Sequence, residues 1–190
     1  RELNNETFDD IHRAFLDHQV IFFRDQQISH DQHKAFGRRF GTLNIHPYVK
    51  GMDGHPEIMQ IVKEPDDRVN FGGGWHSDMS FLEEPALGSI LYAKEVPPYG
   101  GDTLWANQYL AYETLSDGMK AMLEGLRAVH TAKGEYSERG HSAQKRKSME
   151  VATAGDDVPS YEHPVVRTHP ETGRKALYVN PAFTEEFVGM

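Results

Sequence analysis

Residues 75–81 read Trp-His-Ser-Asp-Met-Ser-Phe, and they constrain the fold and the chemistry of the chain more than any other segment. The pattern predicts a β-strand. Side chains two positions apart in a strand point to the same face, with Cα atoms roughly 6–7 Å apart. We therefore expect the imidazole of His76 and the carboxylate of Asp78 to converge on one metal ion.

Two histidines and one carboxylate on one face of a metal are typical of non-haem Fe(II) oxygenases, which leave the other coordination positions open. This segment supplies one histidine and the carboxylate, so a second histidine must come from elsewhere. A bare His-x-Asp pair also occurs as a surface hydrogen bond, and motif matches have a high false-positive rate. The context favours a site, because residues 72–74 are all glycine and allow close backbone approach, while Trp75 and Phe81 flank the pair with apolar surface.

Composition limits the class of protein. The 190 residues allow one domain, and 20 basic against 29 acidic residues give a net charge of −9, which argues against a nucleic-acid surface. The chain has no cysteine, which excludes disulfides, cysteine-ligated zinc and thiol nucleophiles and fits a cytoplasmic protein. No apolar run approaches the ~18–20 residues that span a bilayer, so no membrane association is expected. The chain begins at Arg1 and ends at Met190, and we expect a fragment truncated at both ends.

Apolar periodicity predicts the secondary structure. Helices are expected over residues 6–18, from a Ser29–Gln32 capping box to Gly41, and from Ser116, where a Met/Leu stripe would pack in the core. Short strands are expected over 20–23, 58–62, 89–93 and 103–105, and a hairpin brackets the turn at 170–173. Residues 133–162 are polar and predict either a mobile lid or a plain surface insertion. Short strands with turn signals and a few helices together predict a jelly-roll β-sandwich with helical decoration.

Three motifs stand in order along the chain: residues 75–78 (Trp-His-Ser-Asp), residues 100–105 (Gly-Gly-Asp-Thr-Leu-Trp) and residues 163–170 (His-Pro-Val-Val-Arg-Thr-His-Pro), followed by Asn180 and Phe183. Their combination resembles the TauD/TfdA-like family of Fe(II)/2-oxoglutarate-dependent dioxygenases. The resemblance covers nearly all of the chain, and although each motif alone is weak, the combination is specific.

The resemblance implies a double-stranded β-helix (jelly-roll, cupin-like) core and one partial domain over residues 1–190. It implies Fe(II), 2-oxoglutarate and O2, and hydroxylation of a small, anionic substrate such as a sulfonate or sulfate ester, with release of succinate and CO2. The iron ligands would be His76 and Asp78 with a distal histidine. That histidine and a 2-oxoglutarate-binding arginine belong to the family's C-terminal part and would lie outside this chain. Family members are often oligomeric, so a homo-oligomer is possible.

Further site residues follow from the resemblance. Thr103 matches the threonine that hydrogen-bonds the 2-oxoglutarate carboxylate, although strand propensity alone would explain a threonine there. His46 matches a histidine that contacts the anionic head of the substrate, and Tyr48 and Phe183 are candidate pocket walls or core residues. Gly72 stands where the taurine enzyme has asparagine, which puts taurine itself in doubt.

Two other functions stay open. A non-catalytic jelly-roll binding module with a vestigial metal pair would also lack the distal histidine. A zinc hydrolase would use three protein ligands and a water, but no His-Glu-x-x-His motif is present. The remaining histidines are expected to be structural: His130 as a helix-end cation, His141 in a loop, and His163 and His169 in turns.

Overall fold

The computed structural model describes residues 3–67, 70–140, 149–155 and 158–190. Its helices are α1 (Asn5–His18), α2 (His30–Gly37), α3 (Gln108–Glu113), α4 (Asp117–Leu123) and α5 (Lys133–Tyr136). Its strands are β1 (Gly51–Met52), β2 (His55–Met59), β3 (Arg127–Thr131), β4 (Ser160–Pro164), β5 (Val166–Thr168), β6 (Lys175–Leu177) and β7 (Thr184–Phe187). Among these residues, no helix combines the length and the apolar composition needed to cross a bilayer.

The first two helices begin within one residue of the predicted positions, while α2 ends at Gly37 rather than at Gly41. The Asn4 side chain accepts a hydrogen bond from the backbone of Thr7 at 2.8 Å and so caps α1. Ser29 and Gln32 form the predicted reciprocal capping box of α2. Helix α1 contacts the turn that follows α2 through Phe8 and Phe40, whose rings pack edge to face with centroids 4.9 Å apart.

Antiparallel pairing organises the strands into three sheets. The largest has the order β4-β3-β7, and at its centre Ala128 of β3 lies opposite His163 on one side and Phe187 on the other. The predicted hairpin is confirmed as the pair β5–β6, with Gly173 in its turn at φ 69°. Antiparallel β structure with a few helices is therefore confirmed, while the complete jelly roll is not directly visible in these sheets.

The core lies between the C-terminal end of β3 and the turn that follows Asp78. Its buried members are Met79, Phe81, Ala132, Tyr136 and Phe183. Phe81 is the most enclosed of these large side chains, with 1% of its surface exposed. The core therefore directly supports the segment that carries the predicted metal ligands.

Several predicted strands are absent from the described sheets. Residues 20–23, 89–93 and 103–105 are irregular, and β2 ends at Met59 rather than at residue 62. Many of their apolar side chains are exposed: Phe22, Phe23, Ile61, Val62, Ile90, Leu91, Leu104 and Trp105. Alternating apolar residues form a strand only where a neighbouring strand pairs with the backbone N–H and C=O groups, and none of the described sheets includes a strand paired with these segments.

Two other predictions need correction. The Met/Leu stripe of α4 does not pack in the core, since Met119 and Met122 are 40% and 59% exposed and no residue of the helix is buried. The segment 133–162 is not uniformly a loop, because it begins with α5, which buries Tyr136, and it ends in β4. The lid prediction otherwise concerns residues 141–148 and 156–157, which lie outside the described residues.

Candidate metal centre

His76 and Asp78 lie close together, although not on a strand. His76 Nε2 is 3.0 Å from Asp78 Oδ1. The strand prediction is wrong because positive φ angles interrupt the chain on both sides of the pair, at Gly72 (66°) and Met79 (53°). A Cβ at residue 72 would lie 3.3 Å from the His76 ring, so glycine there makes room for the imidazole.

The backbone fixes the orientation of the His76 ring. Its Nδ1–H donates to the carbonyl oxygen of Gly74 at 2.7 Å, which leaves Nε2 directed at Asp78. A metal-binding histidine commonly uses its second nitrogen in this way. The other oxygen of the carboxylate, Asp78 Oδ2, accepts a hydrogen bond from the Ser89 hydroxyl at 2.8 Å. Both ligand side chains are thus held by a second group.

The two groups stabilise each other's charged forms. The hydrogen bond with Asp78 raises the pKa of His76 to about 9, against the opposing effect of burial. The same hydrogen bond lowers the pKa of Asp78, and the Ser89 hydroxyl adds to that effect. In the metal-free protein a proton therefore lies between an imidazole nitrogen and a carboxylate oxygen, which is the position that a divalent cation would take.

The donor set fits part of an Fe(II) site. One imidazole nitrogen and one carboxylate oxygen are two members of the two-histidine, one-carboxylate set of non-haem iron enzymes. The pair is open to solvent on one side, since the Asp78 side chain is 55% exposed. Within the described ranges, no group of three or more His, Asp or Glu side chains is placed to hold a metal ion. These residues can therefore contribute two ligands and not a third.

An aromatic wall runs from the pair to His46. The Phe183 ring lies 6.4 Å from that of His76 and 5.1 Å from that of Phe81. Tyr136 continues the wall, with its ring stacked 4.6 Å from that of Tyr48. Tyr48 and Phe183 are therefore part of one aromatic surface that includes core residues and approaches the metal pair.

His46 closes the far end of this wall as a neutral hydrogen-bond donor. Its Nδ1 accepts from the backbone N–H groups of Tyr48 and Val49 at 3.1 and 3.0 Å, so the ring proton sits on Nε2. Burial lowers the pKa of His46, although the charge of Asp78 opposes that effect. The Tyr136 hydroxyl lies 3.4 Å from Nε2. His46 Nε2–H is therefore the donor in this contact, and the Tyr136 hydroxyl oxygen is the acceptor.

Thr103 does not join this group in the structure. It lies exposed in the irregular segment between the Gly100–Gly101 turn and α3. Among the described residues, Thr103 makes no hydrogen bond to His76 or Asp78. The structure thus brings His46, Tyr48 and Phe183 towards the His76–Asp78 pair, while no hydrogen bond links Thr103 to that pair.

Sequence reasoning missed two polar residues, Ser89 and Tyr136, and misassigned two histidines. Ser89 had no local signal, because a lone serine in an apolar segment predicts nothing. Tyr136 was hidden in a segment whose polar composition predicts a loop. His130 and His163 are not a helix-end cation and a turn residue: they lie buried in β3 and β4, where alternation along each strand could have indicated inward-facing positions. His169 does cap the β5–β6 turn, as predicted, and His141 lies outside the described residues.

Comparison with known proteins gives a consistent result. The family model "Taurine catabolism dioxygenase TauD, TfdA family" matches residues 1–190. The chain is 36% identical to an alkylsulfatase of Acinetobacter baylyi over 96% of its own length, and 34% identical to an alpha-ketoglutarate-dependent sulfate ester dioxygenase of Pseudomonas putida over 93%. It covers 57% and 58% of those two proteins, respectively. The crystal structure of a taurine dioxygenase from Burkholderia xenovorans matches all of the chain with 37% identity and a TM-score of 0.78, and the match covers 59% of that structure. The chain belongs to the taurine catabolism dioxygenase TauD, TfdA family.

Proposed function

We propose that this chain is part of an Fe(II)- and 2-oxoglutarate-dependent dioxygenase. Its reaction would hydroxylate a small anionic substrate, a sulfonate or sulfate ester, and release succinate and CO2. The observation that carries the proposal is the His76–Asp78 pair, with Nε2 and Oδ1 3.0 Å apart and open on one side. Iron(II) with 2-oxoglutarate and O2 would supply the oxidising power for hydroxylating a C–H bond.

Each site residue then has a physical role. His76 and Asp78 would hold the metal, with the Gly74 carbonyl and the Ser89 hydroxyl fixing their orientation. Thr103 would donate a charge-assisted hydrogen bond to the carboxylate of 2-oxoglutarate. That role rests on the family motif, and in the structure Thr103 lies on an exposed segment that would have to be ordered against the site.

The substrate would lie along the aromatic wall. An anionic head would displace the contact between His46 Nε2–H and the Tyr136 hydroxyl oxygen and would accept a hydrogen bond from each group, since two donors in a partly buried site stabilise negative charge. Tyr48 and Phe183 would line the apolar part of the pocket and exclude water. Several relatives are named for sulfonate, sulfate ester and phenoxypropionate substrates, which all carry an anionic group. Glycine at position 72 supports a substrate other than taurine.

We also propose that residues 1–190 form one partial domain of a larger double-stranded β-helix. The exposed apolar segments 20–23, 89–93 and 103–105 would pair with strands of the C-terminal part. That part would supply the third iron ligand and an arginine for 2-oxoglutarate. The length of the relatives supports this, because the chain covers 57%, 48% and 58% of three of them.

Anaerobic titration of the full-length protein with Fe(II) and 2-oxoglutarate tests the proposal. We expect the visible charge-transfer band of the iron chelate to appear in the wild type and to be lost in Asp78→Ala. The matched control is Asp117→Ala, which removes an exposed carboxylate from α4 and should retain the band. Absence of Fe(II) binding in the wild type would favour the vestigial binding module instead.

A further inference from the structure

The backbone that follows Asp78 forms a strained turn. Met79 has φ 53°, a left-handed conformation that is unfavourable for a residue with a Cβ, and its carbonyl accepts a hydrogen bond from Leu82 N at 3.0 Å. The turn over residues 79–82 is buried at Met79, Ser80 and Phe81. Such a backbone persists only where surrounding contacts hold it.

Two buried histidines and an asparagine make those contacts. His130 Nδ1 lies 2.9 Å from Ser80 Oγ, and Asn180 Nδ2 donates to the same oxygen at 3.1 Å. His163 Nε2 donates to the carbonyl oxygen of Leu82 at 2.9 Å. His130 and Ser80 have no exposed surface, so water does not replace these bonds readily.

The rigid part of the fold carries these groups. His130 lies on β3 and His163 on the neighbouring β4, with ring centroids 5.4 Å apart. The Tyr178 ring stacks on His130 at 5.5 Å and meets His163 edge-on at 5.4 Å. The turn is therefore tied to the central sheet at both ends, through the side chain of residue 80 and the backbone of residue 82.

We propose that His130 and His163, together with Asn180, are positioning residues that clamp the turn after Asp78 and so set the direction of its carboxylate. The inference rests on the proposed function, because it gives the clamp a role in metal binding. Ser80 is two residues from the ligand. A tilt of the turn would move Asp78 Oδ1 away from His76 Nε2. A misplaced ligand atom weakens metal binding strongly.

The two histidines use different ring nitrogens, which permits a crossed test. Asparagine places its amide where Nδ1 of histidine lies, and glutamine places it near Nε2. His130→Asn should therefore preserve the bond to Ser80, while His130→Gln should lose it. At residue 163 the order reverses, so that His163→Gln should preserve the bond to Leu82 and His163→Asn should lose it. His169→Asn, which alters a histidine in the β5–β6 turn, is the control.

The measurement is the anaerobic Fe(II) dissociation constant of each full-length variant, with thermal unfolding of the metal-free protein measured in parallel. We expect about tenfold weaker Fe(II) binding in His130→Gln and His163→Asn, and less than about threefold change in His130→Asn, His163→Gln and the control. Equal affinities within each pair, or affinities that follow only the unfolding temperature, would overturn the clamp. Failure of the wild type to bind Fe(II) would instead overturn the proposed function.

Ser80→Ala provides a second variant in case the histidine variants do not fold. It removes the oxygen that His130 and Asn180 share and changes the volume little. We expect Fe(II) binding to weaken about tenfold, while Ser160→Ala, at an exposed position of β4, should bind as the wild type does. Unchanged affinity in Ser80→Ala would overturn the proposal.

Discussion

Metal binding at the His76–Asp78 pair should release a proton, because the metal must displace the one that the pair holds. His76 has a pKa of about 9 in the metal-free protein. At pH 7 the ring would be about 99% protonated, and one proton would leave for each ion bound. Asp78 would release none, since the same hydrogen bond lowers its pKa and keeps it ionised.

The pKa also sets the size of the effect on affinity. Competition with a proton at pKa 9 rather than 6.5 weakens apparent binding at pH 7 by roughly 80-fold. The apparent dissociation constant for Fe(II) should therefore fall about tenfold from pH 7 to pH 8. It should level off above the pKa of about 9.

Calorimetric titration of the full-length protein with Fe(II), in buffers of different ionisation enthalpy, measures the released protons. An NMR titration of the metal-free protein supplies the pKa directly. His46 serves as an internal reference there, because burial shifts its pKa in the opposite direction. In Asp78→Asn the His76 pKa should return towards its ordinary value. Release of less than about 0.3 proton at pH 7, or titration of wild-type His76 near 6.5, would refute the reasoning.

Four further predictions concern substitutions or titration of single side chains. Ser89→Ala should weaken Fe(II) binding by about tenfold without unfolding the protein, because it removes the 2.8 Å hydrogen bond to Asp78; metal titration beside thermal unfolding would show this. Phe81→Ala should destabilise the protein by about 3–5 kcal/mol in urea unfolding, because it empties a fully buried position. Burial lowers the pKa of His130 to about 4, so below pH 6.5 the unfolded chain binds a proton there that the folded chain does not. The contribution of His130 to stability should therefore fall by about 2 kcal/mol from pH 7 to pH 5, and urea unfolding of His130→Asn should lack that loss when compared with the wild type at the same two pH values. Thr103→Ala should raise the KM for 2-oxoglutarate and leave Fe(II) binding unchanged, and loss of the metal would contradict the role given to Thr103.

Local signals were sufficient for the helix starts and the hairpin. The Asn4 cap, the Ser29–Gln32 box and the glycine of the β5–β6 turn each act within four residues, so the sequence specifies them directly. The predicted strands over 20–23, 89–93 and 103–105 depended on partners elsewhere. Apolar alternation indicates which face a strand would bury, but it does not identify the neighbouring strand that would pair with it.

The pairing of His76 with Asp78 was predicted on incorrect local geometry. A spacing of two residues brings side chains together on a strand, yet here the chain is irregular and has a left-handed residue on either side of the pair. The prediction of proximity held because any compact path over three residues leaves the two side chains within reach. Thr103 carried no such constraint, since it lies 25 positions after Asp78.

Under the proposed function, the metal affinity of the His76–Asp78 pair would depend on residues that the motif does not contain. Ser80 is held by His130, 50 positions along the chain, and by Asn180, 100 positions along it. A metal-binding sequence can therefore keep both ligands and still lose its metal through a change in β3 or in the segment before β7. The orientation of a ligand side chain contributes to metal affinity, as its chemical identity does. Comparisons between members of this family should therefore include the positions of His130 and His163 as well as those of the ligands.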